Sequence, residues 1–103
     1  MQTMQELTRK KYHQKLTSAE KVAQMVKSGD RIFFGEFVLR PEAIDHALAQ
    51  RAHEFQDVLI EGVCITKVPQ FIEADPYREH FIYNDWHFSS VSRKLYQQGL
   101  CSY

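Results

Sequence analysis

The 103-residue chain carries 13 basic and 13 acidic side chains, so it has no net charge at neutral pH, and its only basic block is Arg9-Lys10-Lys11. That balance gives no electrostatic footprint for nucleic acid or for an acidic membrane surface. Hydrophobic residues make up 44% and charged residues 25%, the composition of a soluble globular chain rather than a disordered one, and the length allows one domain at most.

Residues 1–11 are polar and are expected to form a tail, or a frayed helix that wraps onto something else, ahead of a folded part over 12–103. This opening lacks the apolar core of a signal peptide, and no later run is long enough to span a bilayer as a helix, so the cytoplasm is the expected compartment. Thr17 and Glu20 have the spacing of a capping box. Ala19, Val22, Ala23 and Val26 then share one helical face, and Gly29 is placed to end that helix in the left-handed conformation.

Arg31–Gly35 is short, apolar and aromatic, which predicts a buried strand. Pro41 suits the first position of a second helix over 41–55. Glu42 and Asp45 lie in its first turn, where the helix dipole favours anions, and Ile44, Ala47, Leu48 and Phe55 mark its inner face. Asp57–Cys64 predicts a second strand. A loop or short helix punctuated by Pro69 and Pro76 follows, then a third strand over Glu79–Asn84. Ser89 or Ser90 can cap a last helix closed by Gly99, and Leu100–Tyr103 begins something extended. Alternating helices and near-continuously apolar strands predict an α/β fold, an open, mostly parallel sheet with helices on both faces. Three strands with a fourth only begun leave unpaired edges, so the stretch is expected to be the incomplete front of a larger domain and marginally stable alone.

Chemistry-bearing patterns are few. His46 and His53, seven residues apart on one predicted helix, would be roughly 10 Å apart, too far to share an ion. His13, His80 and His87 fall on other elements, so no metal site is expected. There is no GxSxG, Walker or GxGxxG signal. Cys64 and Cys101 lack CxxC context and are expected to be reduced, buried thiols, with Cys64 inert inside its strand. Gly35, at the end of the first strand, is either a plain strand terminator or a point of ligand approach, since open α/β sheets bind ligands at the carboxyl ends of their strands. The stretch FIYNDWHFSS, residues 81–90, packs four rings among polar groups at another strand end. Its Trp86 and His87 are either a loop anchor and a satisfied histidine or part of a site.

Three blocks in order, KLTSAEKVAQMVKSGDRIFFG, PEAIDHALAQRAHEFQDVLIEG and DPYREHFIYNDWHFSSVSRKL, resemble the amino-terminal part of the acetyl-CoA hydrolase/transferase family, from about Tyr12 to the end. The signature is Asn84, Trp86, His87, Phe88 and Ser89. The resemblance implies a CoA-transferase-like fold in an enzyme several times this length, with two similar α/β halves. Such an enzyme moves CoA from an acyl-CoA to a short-chain carboxylate, or to water, through a glutamyl-CoA intermediate. The implied nucleophilic glutamate lies in the carboxy-terminal half, so no catalytic residue is assigned here, and Glu36 is not given that role. CoA thioester enters as a substrate, with no tightly bound cofactor. The partners implied are the acyl-CoA, the carboxylate and the missing half, in cis or in trans, with room for a homo-oligomer.

Where many relatives are glycine-rich, this chain has Gly35-Glu-Phe-Val-Leu-Arg-Pro41, keeping only the outer two residues. Phe37, Val38 and Leu39 are therefore expected to wall an apolar acyl pocket. The expected substrate-binding residues are Gly35, Phe37, Pro41, Asn84, Trp86 and His87. The alternative is a truncated, non-catalytic module that binds a partner through its unfinished sheet edge.

Overall fold

A computed structural model describes all residues from Met1 to Tyr103. The elements are α1 (Met4–Lys15), α2 (Ala19–Met25), β1 (Arg31–Glu36), α3 (Glu42–Gln50), β2 (Val58–Val63), α4 (Gln70–Glu73), β3 (Phe81–Asp85) and α5 (Ser90–Gln97). The strands pair in the order β1-β2-β3, both pairs parallel. Ser102 then bridges Asn84 in parallel, which starts a further strand position beside β3. No helix is long and apolar enough to cross a membrane.

Side chains alternate across a strand. Phe34, Val58, Ile60, Phe81 and Tyr83 all belong to the one buried cluster, which also takes Ala23 from α2, Leu48 from α3, Phe71 from α4 and Leu95 from α5. Phe71 sits at its centre, fully buried, with ring centroids 5.6 Å from Phe34, 5.4 Å from Phe81 and 5.7 Å from Tyr83. Every helix that buries a side chain thus lies on one face of the sheet. The open parallel α/β sheet is the one the sequence implied, but within these residues the helical cover is one-sided. Strands added in sequential order by crossovers of one hand place their helices on the same side, and cover moves to the other side only where strand order reverses.

Several local expectations shift. Residues 4–15 form a helix with its own capping box, Thr3 with Glu6, and bury none of their side chains. The second helix is capped by Ser18, whose hydroxyl accepts from the Lys21 N–H at 3.2 Å, and not by Thr17. The cap has to be the last extended residue, and the Thr17–Glu20 spacing starts one residue too early. That helix ends at Met25. Gly29, at φ +88°, serves the following turn, in which the Asp30 N–H donates to the Lys27 carbonyl. Pro41 flanks α3 instead of opening it, and α3 stops at Gln50 before a separate 3-10 turn, Ala52–Glu54. His46 and His53 therefore share no helix, and both His46 ring nitrogens are engaged, by Gln50 and Gln70.

Two glycines are required by packing. β1 bulges between Phe33 and Glu36, and Gly35 occupies the bulge at φ +96°, where a Cβ would lie 2.3 Å from the Leu39 carbonyl oxygen. In β2, a Cβ on Gly62 would lie 2.6 Å from the Tyr83 hydroxyl, which is itself buried without a hydrogen-bond partner. Gly62→Ala should therefore cost about 1–3 kcal/mol of stability through overpacking. In a Tyr83→Phe background, where the clashing oxygen is gone, most of that cost should disappear. Urea unfolding of the two single variants and the double variant checks this; equal costs in both backgrounds would contradict it.

Candidate functional site

Parallel pairing brings the carboxyl ends of β1, β2 and β3 to one edge, where three exit loops meet. The Phe37 N–H donates to the Val63 carbonyl at 2.8 Å, the Trp86 N–H to Gly62 at 3.0 Å, and the Cys64 N–H to His87 at 2.9 Å. Side chains lace the loops further. Arg40 donates to the Lys67 carbonyl at 2.9 Å, joining the first loop to the second, and the Ser89 hydroxyl donates to the Ile65 carbonyl, joining the second to the third. Ser89 is also the N-cap of α5, accepting from the Ser92 N–H at 3.1 Å.

Asp85, the last residue of β3, is fully buried and belongs to the same lacing. Its Oδ1 accepts from the N–H groups of Cys64 (2.8 Å) and His87 (3.2 Å), and its Oδ2 from Ile65 (3.3 Å). Two residues at this edge, Phe37 (φ 54°) and Cys64 (φ 50°), are non-glycine residues in the left-handed region. Such strain persists only where the surroundings over-determine it, and two more residues of this kind, Asp57 (φ 56°) and Arg78 (φ 52°), lie at the opposite edge ahead of β2 and β3. Cys64 is half-exposed just beyond β2, so the expectation of a buried strand thiol fails there: the chain must turn off the sheet at that residue. Cys101 is buried, and burial first, then the Asp85 charge, pushes its thiol up to about 11.

The expected site residues divide into three groups. Phe37 and His87 flank the β2 exit, both exposed, and Gly35 forms the bulge that aims the first loop. Pro41 is half-buried ahead of α3, and Asn84 is half-buried inside β3, paired with Ser102. Trp86 starts at the edge, but its indole packs on the sheet face that carries no helices. There its N–H donates to Glu61 at 2.9 Å and its ring lies 5.3 Å from that of Phe33.

Arg31, Phe33, Glu61 and Trp86 line a shallow depression of about 350 Å3 on that face. Larger furrows of about 520 and 600 Å3 run along the projecting α1 and carry no carboxylate, cysteine or histidine. The Glu61 side chain is 8% exposed and bonded to Arg31, which is 69% exposed. The Arg31 bond first, and the Trp86 indole second, hold the Glu61 carboxyl below its ordinary 4.5. Sequence reading missed Glu61 and Asp85. The available signal was a lone carboxylate inside an otherwise apolar strand and another at a strand's last residue.

The sequence model of the acetyl-CoA hydrolase/transferase N-terminal domain matches residues 1–103. The chain belongs to this family. Within it, the butyryl-CoA:acetate CoA-transferase of Anaerostipes caccae is 33% identical over 95 residues, which cover 92% of this chain and 21% of that protein. The succinyl-CoA:cyclohexane-1-carboxylate CoA transferase of Geobacter metallireducens is 37% identical over 93 residues, 87% of this chain and 20% of that protein. The chain thus spans about a fifth of the length of these CoA-transferase relatives. A solved structure of a mutant form of RipA superposes with a TM-score of 0.70 at 23% identity, over 89% of this chain and 22% of its own; it shares the fold.

Because the folded Glu61 carboxyl titrates below its unfolded value, its contribution to stability is complete above the ordinary 4.5 and is lost as pH falls through the lower folded value. Glu61→Gln should therefore lose less stability than the parent as pH falls below about 4.5. The emission of Trp86, the single tryptophan, reports the transition. An identical acid-induced loss in both proteins would contradict this assignment.

Proposed function

We propose that these residues form the amino-terminal part of an enzyme that transfers CoA between an acyl-CoA and a short-chain carboxylate. The observation that carries this reading is the laced edge itself. Three exit loops converge at the carboxyl ends of parallel strands, where open α/β sheets take their ligands. CoA-transferase relatives supply the reaction class.

In the proposed reaction a glutamate outside these residues attacks the thioester carbonyl, and CoA leaves as the thiolate, giving a mixed anhydride. The thiolate then attacks the glutamyl carbonyl and releases the first acid as its carboxylate, leaving glutamyl-CoA. The second carboxylate repeats the two steps in reverse, regenerating the glutamate and leaving as the new acyl-CoA. Covalent catalysis of this kind divides one acyl exchange into easier steps. With water as the acceptor, the same intermediate gives hydrolysis. The glutamate is supplied in cis or in trans: Glu61 is bound to Arg31 and Trp86 on the helix-free face, and Glu36 belongs to the β1 bulge.

This segment's own part is to bind and shape. Phe37, Val38 and Leu39 stand 54%, 74% and 74% exposed on the first exit loop, an apolar run that fits an alkyl chain better than water. They would wall the acyl group, with His87 across the edge. The helix-free face, where Phe33 and Trp86 are about half exposed, favours a second reading, a binding module without chemistry of its own.

The native full-length protein should transfer CoA from butyryl-CoA to acetate. Phe37→Ala should shift its preference between butyryl- and acetyl-CoA by about 10-fold or more in kcat/KM, the scale of one or two methylenes in an apolar pocket. Steady-state kinetics with both donors checks this. Unchanged preference would remove Phe37 from the acyl wall, and no transfer at all would leave the module reading.

A further inference from the structure

We propose that Asp85 is a positioning residue of this edge: its buried carboxylate sets the β2 and β3 exit loops in one register and so aims the backbone at Cys64 and His87 toward the substrate. The inference rests on the reading that acyl-CoA occupies the edge. It goes beyond that reading by naming the group that holds the site in shape.

Asp85 lines none of the depressions or furrows, and its own accessibility is zero. Its carboxylate is devoted to three backbone N–H donors on two different loops. One of them, Cys64, is the left-handed residue at the β2 exit, and its N–H is shared between Asp85 and the His87 carbonyl. His87 is bonded through both backbone groups, its carbonyl to Cys64 and its N–H to Asp85, while its side chain stays exposed. The arrangement fixes where the imidazole starts without touching the imidazole. A plain loop staple would do as well anywhere, and the chain has one for comparison. Asp75, also buried, accepts from Glu79 (2.8 Å), His80 (2.9 Å) and Phe81 (2.8 Å), at the amino end of β3, away from the exit loops. Asp75 and Asp85 are thus matched in burial and bond number and differ in which edge they serve.

The test uses that match in the native full-length protein, at a temperature where circular dichroism shows every variant folded. Asp85→Asn keeps one acceptor oxygen for Cys64 and His87 and loses the charge; Asp85→Ala loses all three bonds. The kcat for CoA transfer from butyryl-CoA to acetate should fall about 10- to 100-fold in Asp85→Ala, as expected for a small misplacement at a reacting centre, with partial recovery in Asp85→Asn and KM changing far less than kcat. Asp75→Asn should keep its kcat. Amide exchange at Cys64, Ile65 and His87 should accelerate in Asp85→Ala, chiefly at Ile65 in Asp85→Asn, and at none of them in Asp75→Asn. An equal kcat loss in Asp75→Asn and Asp85→Asn, or unchanged protection of the three amides, would overturn the proposal. If the native protein transfers no CoA, the functional reading fails separately. Exchange at the same amides then decides the role of Asp85: acceleration supports the loop-setting role, and unchanged protection overturns it.

Discussion

Parallel pairing of β1 with β2 and of β2 with β3 forces the chain to leave the sheet at one edge and return at the other after every strand. Each exit and return takes backbone N–H groups off the ladder near a dry core, where an unpaired donor costs about 1–3 kcal/mol. The chain meets that cost with buried aspartates. Asp45 reaches from α3 to the first N–H groups of α4, at Gln70 and Phe71, both at 2.9 Å. Asp75 gathers the turn before β3, and Asp85 the two exits after β2 and β3. Hydrogen bonds to a charged acceptor are the stronger kind, so each aspartate fixes its loop as well as satisfying it.

The two faces of the sheet follow different rules. The helix face is aromatic and built around Phe71; its buried aspartates are hydrogen-bonded, and the Tyr83 hydroxyl lies against Gly62 without a partner. The opposite face carries a polar centre, Glu61 between Arg31 and Trp86, set among exposed rings. Trp86 belongs to both regions, with its backbone in the edge and its indole on that face. A change on the helix-free face can therefore reach the exit loops through Trp86, and one on the helix face through Ser89, the cap of α5, which holds the Ile65 carbonyl.

The strands were legible because their apolar runs are short and bounded by turn residues, and α5 because Ser89 and Gly99 bracket it. The family was legible from the three ordered blocks. What stayed hidden is tertiary. Asp45 looks like a first-turn anion on α3, yet its partners lie 25 and 26 residues away. Asp85 is flanked by Asn84 and Trp86, which draw the eye, and its partners at Cys64 and Ile65 depend on sheet register, which composition does not reveal. The Ser18 cap shows the local limit: two neighbouring hydroxyls can each cap, and only the backbone angle at the boundary decides between them.

We propose that the carboxyl edge of this sheet faces the acyl group of an acyl-CoA. A butyryl-CoA analogue with a photoreactive acyl chain, irradiated on the native full-length protein and mapped by peptide mass spectrometry, tests it most directly. Adducts are expected within residues 36–40, 64–68 and 86–88, and unlabelled butyryl-CoA should suppress them. Suppressible adducts confined to other segments of the protein would contradict it.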